Sequence, residues 1–167
     1  MAPMAWRRDV LTSGAIALLV IAADQATKVW ARGSLRPDHE VTVINGWLWF
    51  RLTSNSGASL GLLRGHNLVF LVASILVVVA VAVVAIRGAL GTVGAAALGA
   101  VAGGAGSNLI DRVRLGSVID FIEVHLWPTD FNLADAAIRL GVLVFVLTLL
   151  FGRSWRSRRN AASRSAG

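Results

Sequence analysis

Four apolar stretches, at about residues 10–31, 67–86, 89–110 and 134–151, limit what this chain can fold into. A hydrocarbon core takes about 20 helical residues to cross. Within it, only helices or closed barrels satisfy the backbone polar groups. The chain is therefore expected to be an all-α integral membrane protein with four transmembrane helices. Charge content agrees: 15% of residues are charged, against about 25% in soluble domains. Mean hydropathy is +0.69. Residues 1–152 read as one membrane domain, and the basic segment 153–167 as a disordered tail.

Between the first and second stretches, residues 32–66 are polar and read as a small extracytoplasmic β-rich segment. VTVINGWLWFRLT alternates around Asn45-Gly46, which predicts a short hairpin. The Gly- and Ser-rich run that follows suits a loop returning to the membrane surface. Trp30, Trp47, Trp49 and Trp127 suit one interface, and Trp6 and Trp155 the other. The net charge of +7 is concentrated near chain ends: Arg7 and Arg8 lead into the first stretch, and five arginines follow residue 152. Cationic flanks mark the cytoplasmic side, so both termini are expected inside. The same charge reads as topology and contact with anionic membrane lipids, not as nucleic-acid binding. Arg7 and Arg8 before an apolar run also suit a cleavable leader, but the polar box that follows at 24–28 favours a retained first span.

The acidic residues carry the chemistry. Asp120, Glu123, Asp130 and Asp135 are four of the nine acids, all gathered between Val118 and Ile138. Four alternating spans gather Asp24, Asp111, Asp120 and Asp135 at one end of the bundle. Ionisable groups at membrane depth are costly and mark functional sites. Two neighbouring carboxylates do not both ionise cheaply, so one keeps a proton and the other acts as base. Asp135, in the first turn of the fourth span, is also favoured as an anion by the helix dipole. There is no cysteine. His39, His66 and His125 lack metal-ligand spacing, so neither metal nor cofactor is expected. Structural readings stand beside these. Asp24 pairs with Lys28 at i, i+4, Asp111 pairs with Arg112 or Arg114, Asp135 pairs with Arg139, and Gly99 and Gly103 let helices approach. A proton-coupled transporter and a binding scaffold remain open on the residues alone.

Five boxes add a resemblance. Asp24-Gln25-Ala26-Thr27-Lys28 is similar to a D-Q-x-T-K box. Asn55-Ser56-Gly57-Ala58-Ser59-Leu60-Gly61 is similar to N-x-G-A-x-F-[GS], with Leu60 in place of Phe. Gly103 to Arg112 resembles G-G-A-x-G-N-x-x-D-R, with Ser107 in place of the third Gly. Val118 to Ile122 resembles V-x-D-F-I, and Phe131 to Ala136 contains F-N-x-A-D. In that order and spacing the chain resembles the bacterial lipoprotein signal peptidases, or signal peptidase II. The resemblance implies a multi-pass aspartic endopeptidase of the cytoplasmic membrane, with its active site on the extracytoplasmic side. Such an enzyme cleaves diacylglyceryl-modified prolipoproteins before the lipidated Cys. It implies a catalytic dyad of Asp120 and Asp135. Substrate-binding or dyad-supporting positions fall at Asn55, Gly57, Gly61, Gly104, Asn108, Arg112, Asn132 and Ala134, and structural polar positions at Asp24, Lys28 and Asp111. A monomer is expected.

Overall fold

The computed structural model describes residues 5–37, 39–57, 67–87, 90–127 and 129–165. Its elements are α1 (Ala5–Ser34), β1 (Val41–Ile44), β2 (Leu48–Asn55), α2 (Asn67–Arg87), α3 (Gly91–Leu115), β3 (Val118–Val124) and α4 (Leu133–Ser165). Four helices are long and apolar enough to cross a membrane: Trp6–Ser34, Asn67–Arg87, Gly91–Leu115 and Leu133–Phe151. A helix lies over each of the four expected stretches, with bounds that differ from the expected ones by about five residues at most. α3 is the central helix. It is 61% buried over its span, against 11% for each of the others, and it packs on α1, α2 and α4. The outer faces of α1, α2 and α4 expose Leu, Val and Ile in quantity. That suits a solvent of lipid tails, where burial inside protein brings apolar residues no advantage.

Glycine makes α3 central. A Cβ at Gly99 would lie 2.5 Å from the Ser13 carbonyl oxygen, and one at Gly103 would lie 2.6 Å from that of Ala17. The α1 and α3 backbones are therefore in contact, as the small-residue spacing predicts. Gly103→Ala forces these two backbones apart. Overpacking of this kind costs about 1–3 kcal/mol, and the expected readout is a lower thermal unfolding midpoint in detergent, with Gly106→Ala as the milder control. At Gly106 the nearest atom to an added Cβ is the flexible end of Ile21, at 3.3 Å.

The hairpin forms where alternation predicts it, with Gly46 at φ 75° in its turn. The sheet, however, has three antiparallel strands in the order β1-β2-β3. The third comes from between α3 and α4, outside the 32–66 segment assigned as β-rich. Thr53, Ser54 and Asn55 of β2 lie opposite Asp120, Ile119 and Val118. On its other edge, β3 exchanges backbone hydrogen bonds with Phe131 (Ile122 N–H to Phe131 O, 2.9 Å; Phe131 N–H to Ile122 O, 3.0 Å). Phe121, Ala31 and Leu35 pack into a small core that seats the sheet on the end of α1, with Trp30 edge-on to Phe50.

The backbone of α4 is helical as far as Ser165. Extending an existing helix is easy once it is nucleated, and Arg and Ala are good helix formers.

Candidate active site

The site lies where the sheet meets the ends of α3 and α4. β3 is held on both edges, so Asp120 is fixed in position, and it is 1% exposed. Its Oδ1 accepts from Asn132 Nδ2 (2.7 Å) and its Oδ2 from Asn55 Nδ2 (3.0 Å). Asn55 ends β2, and its own Oδ1 accepts from the backbone N–H of Gly57 (3.0 Å), a local turn that orients the amide toward Asp120. Gly61 lies outside the described residues, as do Leu60 and most of the loop expected to re-enter the membrane surface.

Asn132 caps α4. Its Oδ1 accepts the backbone N–H of Asp135 (2.9 Å), the usual way an N-cap satisfies one of the free donors at a helix start. The N–H of Ala134 is satisfied from another helix, by Asp24 Oδ1 (2.8 Å). Asp135 is therefore held in the first turn of α4, and its Oδ1 accepts from Asn108 Nδ2 (2.8 Å). The Asn108 Oδ1 accepts from Lys28 Nζ (2.9 Å) and Asn132 Nδ2 (3.2 Å). Lysine can only donate, so Lys28 sets the orientation of the Asn108 amide and thereby aims its N–H at Asp135.

Lys28 is 1% exposed. It pairs with Asp24 (2.7 Å) and with Asp111 (2.8 Å), and with Asn108 this uses all three ammonium donors. The i, i+4 pairing of Asp24 is thus present. Asp111 pairs with Lys28 in place of Arg112 or Arg114, because α3 turns its carboxylate into the bundle. There it also accepts from Gln25 Nε2 (2.9 Å) and from the Ile119 N–H (3.2 Å), which anchors the start of β3. Ser107 donates to Asp24 Oδ2 (2.7 Å) and accepts from Gln25 Nε2 (3.0 Å). Gln25 and Ser107 stood inside the sequence boxes without assigned roles. Their partners lie more than 80 residues away, and no local pattern reveals them.

Gly104 faces α4: a Cβ there would lie 2.5 Å from the Ala134 carbonyl oxygen. Gly104 and the fully buried Ala134 thus set the close approach that brings Asn108 to Asp135. The guanidinium of Arg112 lies 5.3 Å from the Phe70 ring centre. The expected Asp135–Arg139 ion pair does not form. Arg139 instead stacks on Trp127 and Phe131. His125 packs against Trp47 and Trp49, as an interfacial residue would. Among the described residues, no three His, Asp or Glu side chains converge as a metal site requires.

The electrostatics follow from this packing. Four carboxylates converge, with Lys28, Arg112 and Arg139 as the nearby cations. The Asp120 carboxyl is pushed up to about 7, chiefly by burial and next by the charge of Asp135, against the hydrogen bonds from Asn55 and Asn132. A carboxyl that holds its proton near neutral pH, with a second carboxylate beside it, is the arrangement needed for acid–base work.

The model of the Signal peptidase (SPase) II family matches residues 16–151. The chain belongs to the signal peptidase II family. It is 40% identical over 145 residues to the lipoprotein signal peptidase of Syntrophomonas wolfei, covering 86% of this chain and 95% of that protein. It is 38% identical over 136 residues to that of Moorella thermoacetica, covering 81% and 90%. Two solved structures of a bacterial membrane enzyme, at 2.3 and 1.9 Å resolution, superpose with TM-scores of 0.79 and 0.75, each at 31% identity. They cover 86% and 83% of this chain and 90% and 92% of theirs. As a signal peptidase II family member the chain is a membrane-embedded peptidase, aspartic by family. Ser107 is a departure from the sequence box that its hydrogen bonds to Asp24 and Gln25 accommodate.

Proposed function

We propose that this peptidase removes the signal peptide from diacylglyceryl-modified prolipoproteins, cutting before the lipidated Cys, with Asp120 and Asp135 as its catalytic pair. The observation that carries this reading is the convergence of the two carboxylates, each held by an asparagine amide, at the sheet-bearing end of the bundle. A membrane-inserted signal helix would present its scissile bond at that level. Asp135, ionised at the α4 N-terminus, takes a proton from water as the water oxygen adds to the scissile carbonyl. Asp120 gives its proton to the carbonyl oxygen. The tetrahedral intermediate then collapses: the C–N bond breaks, a proton passes to the leaving amine, and the lipidated Cys acquires a free α-amino group. Asn108 and Asn132 use their N–H groups on the carboxylates, so they orient the pair and do not bind the oxyanion. Arg112 is the cation placed to offset developing negative charge. In this reading the termini are cytoplasmic, the sheet faces the extracytoplasmic side, and one chain suffices.

The test is cleavage of a diacylglyceryl-modified prolipoprotein peptide by the purified protein, beside the same peptide with an unmodified Cys and with a chelator control. Cleavage before the lipidated Cys only, indifferent to chelator, supports the reading. Loss of activity with chelator would refute an aspartate mechanism, and no cleavage by folded protein would refute the substrate assignment. The pH dependence follows from Asp120. Its proton is present below about 7 and lost above, and the acid role needs it. The expected kcat/KM therefore falls as pH rises through about 7, approaching tenfold per unit. A rate that climbs through that range would assign Asp120 the base role instead.

A further inference from the structure

Arg112 is the cation on which the hydrolytic reading depends, and what holds it is an aromatic ring. Its charge acts on Asp135, Asp120 and Asp111, so both members of the proposed pair feel it. Lys28 is also felt there, but its charge is met by direct contacts with Asp24 and Asp111. Among the described residues Arg112 makes no ion pair, and its Nε is buried without a hydrogen-bond partner. Its guanidinium lies 5.3 Å from the ring centre of Phe70 on α2. A long side chain with no such contact would keep its rotamer freedom, and fixing it during the reaction would cost entropy.

α2 grips this one residue at two points. Asn67, the first residue of α2, donates from Nδ2 to the Arg112 carbonyl oxygen (3.3 Å). The same oxygen accepts the N–H of Gly116 (3.1 Å), whose φ of 74° ends α3. A carbonyl has two lone pairs, so it takes both donors. Phe70 follows Asn67 by three residues and therefore shares its face of α2. The hydrogen bond fixes where α2 starts against α3, and the ring one turn later meets the side chain. Core packing does not account for the ring. Phe70 is only partly buried and belongs to neither apolar cluster of the fold. A carboxylate in its place would cancel the charge of Arg112 and occupy its N–H donors. An aromatic face attracts the cation through its quadrupole and leaves the net charge intact. The in-plane donors stay available. That suits a cation whose work is to meet charge that appears only in the transition state.

We propose that Phe70, set in place by Asn67, is a positioning residue that holds the Arg112 guanidinium beside the carboxylate pair for cleavage, a role that rests on the hydrolysis proposed above. The test is single-turnover and steady-state cleavage of the diacylglyceryl-modified peptide by full-length protein in detergent. Phe70→Leu, which keeps apolar bulk without the ring, lowers kcat about threefold to tenfold, the range of a cation–π contact. KM stays unchanged, because the contact serves the transition state and not substrate binding. Phe70→Tyr restores the rate. In an Arg112→Gln background, Phe70→Leu has no further effect, whereas a merely structural ring would lower the rate in both backgrounds. A second readout needs no substrate. In protein labelled with ¹⁵N-arginine, the ring current shifts the Arg112 side-chain N–H signal upfield, and Phe70→Leu returns it to the free-arginine position. Should Phe70→Leu fail to fold, Asn67→Ala decides, with the same fall in kcat at constant KM expected. A parent enzyme that cleaves while every folded Phe70 and Asn67 variant matches it overturns this role alone. So does a rise in KM at constant kcat, or a parent Arg112 signal at the free-arginine position. A folded parent that cleaves nothing overturns the proposed function and this role with it, whatever the Arg112 signal.

Discussion

Asp120→Asn and Asp135→Asn each lower the rate of prolipoprotein cleavage by about 10²–10⁴-fold, the range that positioned acid–base groups supply, and the double variant is little worse than either alone. The non-additivity is the informative part, because groups that act as a unit lose nearly everything with the first removal. The two variants differ in how the fold responds. Asp120 accepts from two amides, Asn132 and Asn55. An asparagine there offers one acceptor and sets its own N–H₂ against a donor. Replacing a buried, partly ionised carboxyl also relieves its burial penalty and its repulsion by Asp135. These effects oppose, so the unfolding midpoint of Asp120→Asn stays close to that of the parent while activity is lost. Single-turnover cleavage beside a thermal melt in the same detergent checks both. If either folded variant cleaves at near the parent rate, the dyad is wrong.

Lys28→Met carries the largest expected cost to stability. The ammonium meets Asp24, Asp111 and Asn108 in a region sealed from solvent. Removing one partner of a buried ion pair costs about 3–5 kcal/mol, because the remaining charges stay buried and uncompensated. Two carboxylates are left here, and together they anchor the start of α4 through Ala134 and the start of β3 through Ile119. The expected outcome is a variant that is poorly folded and inactive, measured by recovery from detergent extraction and by unfolding midpoint. Adding Asp111→Asn to Lys28→Met restores part of the stability, since it removes one stranded charge. A double variant as unstable as the sum of the two single variants would mean that the groups do not interact.

What could be read from the residues was local. Span number and placement follow from apolar length, and the hairpin from alternation about Asn45-Gly46. The pairing of Asp24 with Lys28 follows from their four-residue spacing, and the close approach at Gly99 and Gly103 from theirs. Each property is written in consecutive residues, because helical and strand periods and the thickness of a bilayer act over short stretches. The boxes at 24–28, 55–61, 103–112, 118–122 and 131–136 also pointed to the site before any geometry was known.

Partnership over distance was decided by the packed chain. VIDFIEV has no turn signal tying it to a strand more than 60 residues earlier, so β3 is not legible as a strand although Val118 to Ile122 form one of the boxes. Asp111 turned from its neighbouring arginines to Lys28, because α3 presents that face to α1. Asp135 makes no direct ion pair with Arg139, whose guanidinium stacks on two rings outside the helix. Asp24 caps a helix 110 residues downstream. In each case the competing partners are all chemically sound. Only the approach of α1, α3 and α4, made possible where Gly99, Gly103 and Gly104 let backbones touch, determines which lie within hydrogen-bond reach once water is excluded.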